Sequence, residues 1–191
     1  MDDITGTYTL GPDSGRVILK TARAGLAARA GHDLTIEVTR WSAVVTGPDA
    51  AAPGSTAGDV TVTAELDLGS VAVRAGSGGA KPLTDRDRRD IESTARKILG
   101  GGGDARARFV SSAVTPSGTG GVIEGTLALN GTARPSRLQV TSTGPLQFQA
   151  SAVVRQTDHG ITPYSGFFGA LKLRDDVGVE VEADLNKAAR Q

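Results

Sequence analysis

The stretch Val60-Thr61-Val62-Thr63-Ala64-Glu65-Leu66-Asp67-Leu68 decides the fold. Every even position is apolar and every position between is polar. Successive side chains of a β-strand point to opposite faces, so this run is a strand with one dry face and one wet face. The pattern returns at Leu146-Gln147-Phe148-Gln149-Ala150-Ser151-Ala152 and along Val177, Val179, Val181, Ala183 and Leu185. Shorter versions occur at Leu34-Thr35-Ile36-Glu37-Val38, Ala105 to Phe109, Leu127 to Leu129 and Leu138 to Val140. After Val38 the apolar phase shifts to Trp41, Ala43 and Val45, which predicts a bulge near Thr39-Arg40. Val17-Ile18-Leu19 is unbroken and reads as a strand covered on both faces.

Turn chemistry separates these strands. Gly11-Pro12-Asp13, Gly47-Pro48-Asp49, Thr115 to Gly118 and Gly144-Pro145 are all turn formers, and Asn130-Gly131 is the strongest hairpin signal. The small polar stretch Ala50 to Gly58 reads as a hairpin loop. One helix stands out over 84–99. Thr84 and Asp87 have capping-box spacing, and Ile91, Ala95, Ile98 and Leu99 share one face. Gly100 to Gly103 ends it. A second short helical piece is expected from Ala22 to Arg29. One-sided strands in close succession, without wide βαβ units, argue a mainly β fold: an antiparallel barrel of about eight strands with one mid-chain α-helix covering one end. Small inward residues (Ala64, Ala107, Ala150, Ala152) leave room for one small ligand in such a barrel. Periodicity alone leaves a filled interior equally open.

Composition narrows the function. The chain has 191 residues, a length typical of one domain. Its 21 basic and 21 acidic side chains balance, which argues against general affinity for nucleic acid. With no cysteine there is no disulfide, thiolate zinc site or Cys nucleophile. No apolar window is long enough to span a membrane and no secretory signal is visible, so a soluble cytoplasmic protein is expected. P-loop, dinucleotide and G-x-S-x-G patterns are absent. The alternating charges Asp85 to Asp90 on the helix read as a solvated face.

Several segments, in order, resemble the YceI-like family. Arg155-Gln156-Thr157-Asp158-His159-Gly160-Ile161 followed by Asp175-Asp176-Val177 is similar to its C-terminal signature. Gly125-Thr126-Leu127-Ala128-Leu129-Asn130-Gly131 resembles its G-x-L-x-L-x-G hairpin, and Tyr8 through Leu19 to Gly31-His32-Asp33-Leu34 its two-strand opening. Phe109 to Ser112 fits the strand after the helix. The resemblance implies one lipocalin-like barrel over 1–191. It also implies a tunnel for an apolar chain-like ligand, such as a polyisoprenoid, quinone or fatty-acid derivative, with no other cofactor. Members are frequently periplasmic and dimeric, so a homodimer belongs to the expectation. The chain departs from the pattern at Gly31-His32-Asp33-Leu34, where Gly-x-Phe is usual, and in its few Phe and Trp.

Candidate ligand contacts follow. Tyr164, Phe167, Phe168 and Leu171 sit in a glycine-punctuated loop that holds three of the chain's six Phe and Tyr residues. They suit a cavity mouth, a subunit contact or a plug of the barrel end. Leu34, Ile36, Val38, Phe109, Leu127, Leu129 and Phe148 are expected inside. His32 and Arg155 are candidates for the polar end. Another reading uses His32/Asp33 and Asp158/His159 as an acid–base or metal site, against which stands the frequency of such residues in turns. A dimeric scaffold with a filled barrel is the third.

Overall fold

The computed structural model describes residues 4–48, 59–100 and 105–190. The main sheet is antiparallel and curled into a half-barrel. It holds twelve strands rather than about eight, in the order β15-β1-β5-β6-β8-β9-β10-β11-β14-β2-β4-β7. These are β1 (Thr7–Leu10), β2 (Gly15–Thr21), β4 (Asp33–Val38), β5 (Trp41–Thr46), β6 (Thr61–Asp67), β7 (Val71–Ser77), β8 (Arg106–Ser117), β9 (Gly120–Leu129), β10 (Thr132–Gly144), β11 (Gln147–Arg155), β14 (Asp176–Asp184) and β15 (Ala189–Arg190). A small second sheet has the order β12-β13-β3, from Ser165–Gly166, Leu171–Leu173 and Arg23–Ala24. The one α-helix among the described residues, α1, spans Asp85–Gly100.

Bends account for much of the higher count. β4 and β5 are one run of chain broken at Thr39-Arg40, where the phase shift predicts a bulge. β6 and β7 are another, broken by a 3-10 turn at Leu68–Ser70. The two breaks face each other and lock. Thr39 Oγ1 donates to the Ser70 carbonyl at 2.8 Å, and the Ser70 hydroxyl accepts from Arg40 N–H at 2.8 Å. Arg40 also reaches Asp67 at 2.6 Å. On either side of this corner β5 pairs with β6 and β4 with β7, at separate places in the strand order. β1 and β2 are likewise separated at Gly11 to Ser14.

Local signals hold elsewhere. Leu129 pairs with Thr132 across Asn130-Gly131, whose φ values of 50° and 72° are those of a tight hairpin turn. Thr84 N–H donates to Asp87 Oδ2 at 2.9 Å while Thr84 Oγ1 accepts from Asp87 N–H at 3.2 Å, the reciprocal cap of α1. The segment expected to be helical from Ala22 to Arg29 instead forms β3 and a 3-10 turn at Ala28–Ala30. β3 is held by pairing with β13, a distant partner that local spacing does not reveal. The stretch Ala50 to Gly58 and the end of the glycine run after Gly100 lie outside the described residues.

α1 covers the free edge of β7. Glu92 accepts from Val73 N–H at 2.9 Å, Arg88 donates to the Val73 and Arg74 carbonyls, and Arg96 donates to the Gly69 and Val71 carbonyls. Part of the charge pattern that reads as a solvated face therefore satisfies an exposed sheet edge. The adjoining apolar stripe of α1, Ile91, Ala95, Ile98 and Leu99, packs on a core of Leu34, Ile36, Val38, Leu68, Val71, Val73 and Ala107. A second core gathers Ile4, Tyr8, Leu10, Val60, Phe109, Val114, Ile123, Val140 and Leu185.

Candidate functional site: an apolar cavity inside the curled sheet

The inward face of the sheet encloses a cavity of about 850 Å³. Period-two alternation builds its walls. β2 supplies Val17, Leu19 and Thr21; β11 supplies Phe148, Ala150, Ala152 and Val154; β14 supplies Val177, Val179, Val181 and Ala183. Intervening residues such as Gln149, Ser151 and Glu180 are exposed on the outer face. On β11 and β14 the inward residues are only half-buried, because they border space rather than other side chains. That observation decides between the hollow and the filled interior. A close-packed lumen leaves no room for a cavity of this size.

Ten of the sequence-predicted contacts line the cavity: His32, Leu34, Ile36, Phe109, Leu127, Leu129, Phe148, Tyr164, Phe167 and Leu171. Three do not. Val38 points inward but is wholly buried, beneath the lining. Phe168 is fully exposed on the outside of its loop. Arg155 lies on the outer surface, paired with Asp176 at 3.2 Å. Its strand position gives the reason: Val154 faces in, so Arg155 must face out.

Sequence reasoning missed Trp41, Thr21 and the stripe Ile91, Ala95, Ile98 and Leu99 of α1, all of which line the cavity. The helix is a wall as well as a cover. Its apolar spacing carried the signal.

The polar part of the lining clusters at one end. His32, Lys81, Asp87, Asp90, Arg23 and Gln156 border the cavity there. The Lys81 carbonyl can only accept, so His32 Nε2 carries the proton shared with it at 2.7 Å. Asp33 accepts from Arg23 N–H at 2.8 Å. The Thr84 hydroxyl and N–H, both donated to Asp87, hold that carboxyl below the usual carboxylate range. Tyr164 and Phe167 line the cavity while being exposed, which marks this end as the place where it meets solvent.

The two histidines do not share this pocket. His159 is buried, its Nδ1 donating to the Thr132 carbonyl at 3.1 Å, while its own carbonyl accepts from Asn130. It does not line the cavity that His32 borders. Among the described residues, no group of three or more His, Cys, Asp or Glu is placed to hold a metal ion. No described helix is long and apolar enough to cross a membrane.

A curled antiparallel sheet around one apolar cavity, open at one end, defines a class of hollow β-folds. The family model of the YceI-like domain matches residues 8–185, and the chain belongs to the YceI-like family. No curated protein matches it in sequence. Among solved structures it is similar to BcnA of Burkholderia cenocepacia, at 16% identity and a TM-score of 0.61, over 88% of this chain and 94% of that one. A YceI protein of Campylobacter jejuni is similar at 13% identity and a TM-score of 0.52, over 82% and 84%. At these identities the likeness is one of fold.

Proposed function

We propose that the protein binds one apolar, chain-like small molecule, a polyisoprenoid, quinone or fatty-acid derivative, inside the cavity without transforming it. Its role would be transport, storage or stress protection. The observation that carries this reading is the half-buried apolar inner face of β11 and β14 around a cavity of about 850 Å³. Such a volume lies in the range of small-molecule sites. Each ligand methylene taken from water contributes about 0.8 kcal/mol, less the cost of immobilising the chain. His32 and the neighbouring Lys81 and Asp87 fix a polar head at the open end, while Leu34, Ile36, Phe109, Leu127, Leu129 and Phe148 enclose the tail.

The test is a titration of delipidated protein with a fluorescent long-chain fatty acid, followed by competition with a long-chain quinone and a polyprenol. Saturable binding to one site, displaced by at least one competitor, is expected. Absence of binding by all three ends the carrier reading. The acid–base alternative gains no support from the separation of His32 and His159.

A further inference from the structure

The open end of the cavity carries an outward face, most of whose residues, Leu26, Phe168, Lys172 and Arg174 among them, do not line the cavity. Leu26 and Phe168 are fully exposed, and Phe167 is 65% exposed. Both phenylalanines have positive φ, 48° and 54°, a conformation that bulky side chains rarely adopt. The fold therefore holds two aromatic rings in water on an unfavourable backbone. They are not on a loose tip. β12, β13 and β3 form a sheet beneath them, and Ala27 N–H donates to the Ala170 carbonyl at 2.9 Å, joining the Leu26 turn to the phenylalanine turn. Arg23 extends the connection by donating to the Gly31 and Ser77 carbonyls.

Charge supplies the second observation. The whole chain is formally neutral. Yet the segments 22–31, 78–83 and 162–174, which build this face, contain Arg23, Arg29, Lys81, Lys172 and Arg174 and no Asp or Glu. Arg23 is turned toward Asp33 at 3.9 Å. Arg29, Lys81, Lys172 and Arg174 are exposed. The adjoining start of α1 leaves the excess unchanged, since Asp85, Asp87 and Asp90 are matched by Arg86, Arg88 and Arg89. On the other side, Asp176 pairs with Arg155 and Asp175 accepts from Thr157.

We propose that this face docks the mouth of the cavity onto an anionic lipid bilayer, with Leu26, Phe167 and Phe168 entering the interface and the cations meeting lipid head groups. Apolar tips ringed by Lys and Arg fit such a surface. A second copy of the chain fits it poorly. A two-fold interface sets the same patch against itself, so the cations would face one another. Phe167 and Lys81 also border the cavity, whereas Leu26, Phe168, Lys172 and Arg174 do not, so unloaded protein and variants at these four positions suffice to test docking.

The experiment is co-sedimentation of the full chain with vesicles of phosphatidylcholine alone or of equimolar phosphatidylcholine and phosphatidylglycerol. Partitioning onto the anionic vesicles is expected, at least about tenfold stronger than onto the neutral ones and weakened by salt. Leu26→Ser with Phe168→Ser, and separately Lys172→Glu with Arg174→Glu, each reduce it by about tenfold. Unchanged melting temperatures show that the variants are folded; if the first pair does not fold, the charge reversal decides alone. Failure to bind either vesicle overturns the proposal, as does binding that both variants leave intact. So does a dimer of the native chain that Leu26→Ser with Phe168→Ser converts to monomers.

Discussion

β4 and β11 carry the same alternation and enclose space differently. On β4 the inward residues Leu34, Ile36 and Val38 are buried. On β11 the inward residues Phe148, Ala150, Ala152 and Val154 are only half-buried. Two causes act together. Branched, larger side chains fill the first wall, and α1 packs its apolar stripe against the core they belong to. The second wall is built largely from Ala and Val, and β14 beside it offers Val177, Val179, Val181 and Ala183. Period two decides which way a side chain points. Volume and cover decide whether it meets another side chain or a void.

Filling the hollow wall tests this difference most strongly. Ala150→Phe with Ala152→Phe places two rings in the lumen. Binding of a long-chain ligand is expected to fall by about 100-fold or more, since methylenes worth about 0.8 kcal/mol each lose their site. The melting temperature should hold or rise, because the rings occupy existing space. On the packed wall the response reverses. Val38→Ala is expected to cost about 2 kcal/mol in chemical denaturation, from lost transfer energy and the void left behind, with ligand affinity nearly unchanged.

The locked corner gives a smaller effect with a pH signature. The Arg40 guanidinium, the largest cause, and Gly69 N–H hold the Asp67 carboxyl below the usual carboxylate range. A lowered folded-state value means that the ionised form stabilises the fold. That contribution is complete above the ordinary value near about 3.9 and is lost as pH falls through the lowered one. Asp67→Asn should therefore melt below the native chain at neutral pH, with the gap closing in acid. At the far end of the scale, Val153→Thr on the exposed face of β11 should shift stability by no more than about 0.5 kcal/mol.

Much of the architecture was legible because its causes are local. Alternation marked the strands, Asn130-Gly131 marked a hairpin, and Thr84 with Asp87 marked the start of α1. What escaped depends on distant partners. Ser70 locks the corner across from Thr39 and Arg40, so one long strand reads as a single element where the chain makes two. Arg88, Glu92 and Arg96 look like surface charge until the edge of β7 lies beside them. Ala22 to Arg29 has helical composition but meets β13. At the site, inward residues followed from alternation, whereas Arg155 was misplaced by its neighbourhood in sequence when Val154 already took the inward position. The cavity was legible only as one of two readings: small inward residues such as Ala150 and Ala152 allow a hollow, but whether it is filled depends on the side chains opposite, which alternation does not reveal.

Native mass spectrometry of the delipidated chain, mixed with a long-chain quinone or fatty acid, tests the central claim most directly. The account predicts a one-to-one adduct that the Ala150→Phe with Ala152→Phe variant, still folded, does not form. An adduct retained by that variant, or none formed by the native chain, would contradict it.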